Sequence, residues 1–456
     1  MLETLGRRIG DARGYAELRW QTNDSTQLSM RRGALLANAS SRQSGVSARC
    51  YHEGLFGFAA RPESSDAALT NVLRDAADNA GRTRGRRTLG PLPVTAGSGT
   101  HDHRSTRPLL STVERIDLLR RLDAYVAQTY PGLLNVDLSI GTTGTEKALV
   151  TTDGAATYSY VPRTTIAVIM SLQANDSVVD IYDVFGGFGD ADASLLDEAT
   201  IRAGIDALYE SLRRKAEGTY CEAGLHDVVL APHVTGILAH EAIGHTCEAD
   251  CVLSGSIAGE HLGRMVAAEK ITLCDYAGRG PDGRAAIALH VDDEGTPCRD
   301  VAIIERGVLK ALLHDKETAL RFGAEPTGNA RAFGFADYPI VRMRNTAIAP
   351  GTDTLADMIA SIDRGYYLQR ATNGQADSTG EFMFGISLGY EIRNGKLGRA
   401  IRDTTISGVA FDMLKTVTHV GDTIEWAPSG WCGKGQWIQV GMGGPPIRCK
   451  VTVGGR

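Results

Sequence analysis

A chain of 456 residues is too long for one ordinary hydrophobic core, so more than one domain is expected. Its 48 basic and 54 acidic residues leave a formal charge of −6, which supplies no whole-protein attraction for nucleic acid or for an anionic membrane. No apolar run approaches the ~18 residues that span a bilayer, and Met1-Leu-Glu-Thr-Leu-Gly-Arg-Arg-Ile9 lacks the apolar core of a secretory signal, so the sequence predicts a cytoplasmic protein.

In chain order, alternating patterns predict strands at Ala16 to Trp20 and Gln27 to Met30, then a hairpin of Gly45 to Tyr51 and Leu55 to Ala60 joined across His52-Glu53-Gly54. A helix follows, with Ala68, Leu69, Val72, Leu73, Ala76 and Ala77 on one stripe and Gly81 at its end. Residues 81 to 110 are polar without a period and read as a linker; the basic cluster Arg82 to Arg87, His101 and His103 fall there as solvated loop residues. Ser111-Thr-Val-Glu114 is a capping box that opens a helix burying Leu118, Leu119, Leu122, Tyr125 and Val126. Strands are expected at Asn135 to Ile140, Lys147 to Thr152, Ala155 to Val161 and Thr164 to Leu172. A second amphipathic helix carries Ile201, Ile205, Leu208 and Leu212 and ends near Gly218.

Past Asp227-Val-Val-Leu-Ala231, a short strand, the pattern becomes rich in hairpins. Val301 to Ile304 pairs with Val308 to Leu312, and Leu388 to Ile392 pairs with Leu397 to Ile401 around Asn394-Gly395. A helix near Leu355 to Ile362 interrupts them. The expected fold class is α+β, in three parts: an N-terminal mixed α/β domain at 1–82, a middle α/β domain at 83–218, and a β-rich C-terminal domain at 219–456 built as a sandwich or barrel-like sheet.

The chemistry concentrates where the third part begins. In Pro232-His-Val-Thr-Gly-Ile-Leu-Ala-His240-Glu241-Ala-Ile-Gly-His245, apolar residues at helical spacing precede two histidines and a carboxylate. In the familiar H-E-x-x-H helix the histidines are four apart and share a face. Here they are five apart, roughly 140° round a regular helix, so they need a π-type turn or an early helix end at Gly244 to share a metal.

A third ligand is open between two sources. Cys247 and Cys251 would complete a closed structural zinc site and leave Glu241 idle. Distant Cys432, in Gly430-Trp-Cys-Gly-Lys-Gly-Gln436, would leave a position open, and Lys434 would lower its thiol pKa. Eight scattered cysteines without a secretion signal read as reduced thiols, available to metal.

Beyond this point the chain resembles the TldD/PmbA family of zinc peptidases, in its metal-bearing TldD type. The resemblance rests on the hairpin Gly45 to Ala60, His240-Glu-Ala-Ile-Gly-His-Thr-Cys-Glu248, Asp292-Asp-Glu-Gly-Thr-Pro297, Pro326-Thr-Gly-Asn329, Gly374 to Phe384, Cys432-Gly-Lys434 and Val451-Thr-Val-Gly-Gly455. It implies a catalytic zinc held by His240, His245 and Cys432, with Glu241 as general base. Glu248 then becomes a candidate partner of His245, while Cys247 and Cys251 revert to packing. It also implies pairing with a metal-free PmbA/TldE-type chain, or a homodimer, around a cavity in which unfolded or leader-type peptides are cleaved.

The chain departs from the family pattern at Ala330-Arg-Ala-Phe-Gly-Phe335, at Gly443-Gly-Pro-Pro446 and at Trp431. The aromatic bulk of Phe333, Phe335 and Trp431 raises an alternative, a zinc-dependent C–N hydrolase acting on a small metabolite. A further alternative is a non-catalytic zinc-bearing regulatory subunit. Neither nucleic acid nor membrane is an expected partner.

Overall fold

The separate alternations at Ala16 and Gln27 belong to one strand in the computed structural model, which describes residues 1–82, 89–175, 177–284 and 286–455. This strand, β1 (Ala16–Arg31), lies at the centre of a seven-stranded sheet with β2 (Ala34–His52), β3 (Leu55–Arg61), β4 (Ser98–Asp102), β5 (Asn135–Thr151), β6 (Ala156–Gln173) and β7 (Val178–Phe188). The order is β3-β2-β1-β5-β6-β4, with β7 also on β6. Antiparallel pairing joins β1 to β5 from Glu17↔Thr151 to Arg31↔Asp137, so strands from both sides of the expected 82/83 boundary interleave in one sheet.

Two helical layers cover one face of this sheet at different ends. Helices α1 (Leu2–Ile9) and α2 (Asp66–Gly81) pack Leu5, Leu69 and Val72 onto Leu18, Ala148 and Val150. Helices α3 (Thr112–Thr129) and α4 (Glu198–Ala216) pack Leu119, Leu122, Ile205 and Leu208 onto Leu28, Leu138 and Ile166. The capping box at Ser111 forms as read, with Ser111 accepting from the Glu114 amide and Glu114 accepting from the Ser111 amide. Of the basic cluster, the residues beyond Arg82 lie outside the described residues.

The C-terminal part holds two further seven-stranded sheets and is β-rich, as expected. In one, Arg364–Ala376, β8 (Gly224–Leu230), Ile447–Val453, Thr404–Val409 and Glu381–Arg393 follow in order, and pairing of Glu381–Arg393 with Arg364–Ala376 closes them into a ring. Alternate residues Ile447, Cys449, Val451 and Val453 point into its core. The Asn394-Gly395 turn forms with both residues at positive φ, +49° and +72°, as a two-residue hairpin demands. In the other sheet, Asn345–Ile348 pairs with Gln436–Gly444, which carries the antiparallel strand Gly430–Lys434. Among the described residues no helix is long and apolar enough to cross a membrane.

The polar face of β1 and β2 is buried against the C-terminal part by ion pairs. Arg49, 2% exposed, binds Glu17 at 3.0 and 2.8 Å and also reaches Glu294 of the Asp292–Pro297 segment. Beside it Lys147 Nζ lies 2.7 Å from Asp293 Oδ2, and Arg19 donates to the Asp337 carbonyl at 2.8 Å. Replacing Arg49 by Met leaves two buried carboxylates without their cation. Arg49→Met is therefore expected to cost about 3–5 kcal/mol in denaturant unfolding, and a loss under ~1 kcal/mol contradicts this account of the joint.

Candidate metal centre

Helix α5 (Pro232–Leu238) starts directly after β8, with Pro232 in its first turn where a missing N–H costs nothing. It lies between the strands Arg364–Ala376 and Gln436–Gly444. The approach is close: a Cβ on Gly236 would sit 3.0 Å from the Gly443 nitrogen. The helix then widens into a π-turn at Ala239–Gly244, followed by a 3-10 turn at His245–Cys247. The amide of His245 donates to the carbonyl of His240, a bond across five residues that brings both imidazoles to one side. Their ring centroids are 5.0 Å apart at 78°.

Gly244 matters here for a reason other than the dihedral freedom expected of it. Its backbone is ordinary right-handed helix, φ −57° and ψ −49°. A Cβ there would lie 2.0 Å from Met343 Sδ, so glycine allows the wide turn to press against the Met343 side chain behind it.

Opposite the turn, Cys432 sits mid-strand in Gly430–Lys434, held by pairing with Ile438 and by Arg342, which donates to the Cys432 carbonyl at 2.8 Å. Its Sγ is 3.1 Å from His245 Nε2. The ligand atoms of His240, His245 and Cys432 all lie within 4.8 Å of one another. Cys247 turns into the hydrophobic core, where burial pushes its thiol up to about 12. The closed four-ligand set with Cys247 is thus not assembled.

Around these three groups the polar accounting is uneven. His245 Nδ1 meets Glu248 Oε2 at 2.8 Å. Glu248 is fully buried; burial opposes its charge, but His245 and Lys434 outweigh that and hold its carboxyl down at about 2. Burial likewise opposes a positive His245 ring, and Glu248 with the Cys432 sulfur overcomes it, raising the ring to about 10. The surroundings therefore favour positive charge at this point. His240 is 0% exposed, and among the described residues neither of its ring nitrogens has a hydrogen-bond partner. Leaving such a group unsatisfied costs roughly 1–3 kcal/mol, and a metal bound through one nitrogen removes part of that cost. Two imidazoles and a thiolate fit a borderline-soft cation such as zinc.

Lys434 does not serve Cys432 as expected. Its ammonium is held by Asp250 at 2.9 and 3.0 Å, by Glu248 at 3.0 Å and by the Val341 carbonyl at 2.6 Å, and its nearest thiol is Cys251 at 3.9 Å. It ties the Cys432 strand to the segment after the histidines.

Beside these groups lies a cavity of about 730 Å³, whose wall includes His233, Ile237, Glu241 and His245 along one side of the helix. The Glu241 carboxylate lies 3.7 Å from His245 Nε2, and burial raises its pKa above the usual carboxylate value. The facing wall comes from Thr372 to Ser378 and from Trp431 and Trp437. Phe333 and Phe335 do not line it: Phe333 stacks edge-on against Trp431 and receives Gln21 and Asn23 on its carbonyl, while Phe335 packs beneath Gly45. His101 is on β4 rather than in a loop, stacked on His290 at 4.1 Å.

Comparison with known proteins places these features in context. A family model described as the PmbA/TldA metallopeptidase C-terminal domain matches residues 223–455, and one for metallopeptidase domain 1 matches residues 16–80. A metalloprotease of Methanothermobacter thermautotrophicus is 31% identical over 98% of this chain and 97% of its own. The zinc metalloprotease TldD homolog of Saccharolobus solfataricus is 35% identical over 57% of this chain and 58% of its own. TldE from Thermococcus kodakarensis superposes with a TM-score of 0.79 at 16% identity, covering 99% of both chains, a likeness of fold.

Gly244→Ala forces Met343 or the wide turn to move. A destabilisation of about 1–3 kcal/mol is expected from thermal unfolding, and an unchanged midpoint shows that the packing is not as tight as described.

Proposed function

Because the chain belongs to the PmbA/TldD family of metallopeptidases, we propose that it is a zinc-dependent peptidase, with His240, His245 and Cys432 as metal ligands and Glu241 as the general base. The observation that carries this reading is the buried, unpaired His240 ring beside a thiol and a second imidazole. Zinc in such a donor set supplies Lewis acidity, making water a stronger acid and an amide carbonyl a better electrophile.

The chain's own residues supply the rest. Glu248 accepts the Nδ1 hydrogen of His245, which fixes the tautomer and turns Nε2 toward Cys432. Glu241 takes the proton of the attacking water on its carboxylate and returns it to the leaving nitrogen; its raised pKa makes it a better acceptor. The substrate is a peptide in extended conformation, unfolded or of leader type. Support comes from the strand Arg364–Ala376, which β8 pairs only from Gly365 to Leu368, so that its residues from Thr372 onward line the cavity beyond that pairing. We extend the proposal to assembly with a homologous metal-free chain of TldE type, or with a second copy, in the cytoplasm. The metabolite reading loses the support of Phe333 and Phe335 and keeps only that of Trp431.

Purified protein is expected to carry about one zinc, lost in Cys432→Ser and kept in Cys247→Ser and Cys251→Ser, as metal analysis will show. Unchanged zinc in Cys432→Ser contradicts the ligand set. Glu241→Gln keeps its size but cannot take a proton: zinc is expected to stay while turnover of an unstructured peptide falls roughly 10²–10⁴-fold. Activity within a few-fold of the original places the base elsewhere.

A further inference from the structure

His233 lies two turns ahead of Glu241 on the cavity side of α5, and it is absent from every role assigned so far. Its Nδ1 receives the backbone N–H of Ala371 at 3.3 Å. An amide can only donate, so Nδ1 holds the lone pair. Burial, and then the nearby Arg370 cation, hold the ring neutral with a pKa of about 4, which leaves its one N–H on Nε2. Among the described residues Nε2 meets no hydrogen-bond partner, and the residue lines the cavity wall. A fixed tautomer thus offers one donor to whatever fills the cavity.

Its neighbours define what that occupant is. Tyr182 donates its hydroxyl to the Ala371 carbonyl at 3.4 Å, so both backbone polar groups of Ala371 are taken by side chains. Among the described residues, the stretch of this strand edge open to the cavity therefore begins at Thr372, just past Ala371. Eight helical steps lead from His233 to Glu241, a rise of about 12 Å, equal to three or four residues of extended chain.

We propose that His233 is a substrate-positioning residue whose Nε2–H donates to a backbone carbonyl of an extended peptide, about three to four residues from the bond that faces Glu241. The inference rests on the peptidase reading and deepens it. It makes the site sensitive to peptide length, because a substrate that ends short of His233 gains nothing from it.

Two variants separate this role from a purely structural one. Asparagine at 233 keeps an acceptor near the Nδ1 position and so holds Ala371, but loses the cavity donor. Glutamine keeps a donor near the Nε2 position and gives up the contact with Ala371. The readout is binding, in zinc-loaded Glu241→Gln protein, of a fluorescein-labelled unstructured peptide of about ten residues and of a truncation of about four. His233→Asn is expected to weaken the long peptide about three- to tenfold, the size of one net hydrogen bond, and to leave the short one unchanged, while His233→Gln binds both nearly as the parent does. Equal weakening of both lengths, loss in His233→Gln alone, or no change in His233→Asn each overturns the proposal. Turnover measured with an intact Glu241 separates the two readings: if the parent binds but does not cleave, peptidase function fails while the binding role of His233 stands or falls on the variants.

Discussion

An imidazole buried with neither nitrogen hydrogen-bonded among the described residues is the constraint from which the rest of the centre follows. His240 occupies that position at 0% exposure. Nothing in a hydrophobic helix compensates such a group, so its retention calls for a partner that is not a protein donor or acceptor. The π-turn bonds His245 back to the His240 carbonyl and delivers a second imidazole, while the hairpin at Gly435 delivers Cys432 from the opposite side. Gly244 is the point where this widened backbone can meet Met343 without a side chain between them.

Charge is arranged around that constraint in layers. Glu248 faces His245 with one oxygen, and the Met343 amide reaches the other at 3.3 Å. Lys434 then balances Glu248 and Asp250, so that buried carboxylates are not left unpaired behind the ligands. Farther out, Arg49 through Glu294, and Lys147 and Arg19 through Asp293, lock the N-terminal sheet to the Asp292–Pro297 segment, and from there Asp292 accepts from the Ala330 amide. Buried ion pairs of this kind contribute little net stability against a hydrophobic alternative, but they penalise any other docking of the two halves.

How much of this the sequence revealed depended on the range of the interactions involved. The helices at Ser111 and Ile201 were legible because capping and stripe are local. Strand β1 reads as two pieces because the residues between them, Gln21-Thr-Asn-Asp-Ser-Thr26, are all polar and mimic an exposed turn, although Gln21 and Thr22 are buried. Strand β7 was missed, since Asp180, Asp183, Gly186 and Gly187 interrupt its apolar alternation. The distorted turn was legible from the five-residue histidine spacing alone, whereas Cys432 meets His245 across 187 positions: its local context offers it only beside Cys247 and Cys251, and the family resemblance is what singles it out. Lys434 was misread because oxygen acceptors from three residues, Glu248, Asp250 and Val341, surround it, and no local pattern shows them. His233 gave no signal either, as its tautomer is set by an amide 138 residues away.

The central claim is that a metal binds here through two imidazoles and one thiolate. X-ray absorption at the zinc edge of the purified protein reads those donors directly. The account predicts one sulfur at about 2.3 Å and imidazole nitrogens at about 2.0–2.1 Å. A spectrum without sulfur, one with two or more sulfurs, or a protein that holds no zinc at all would contradict it.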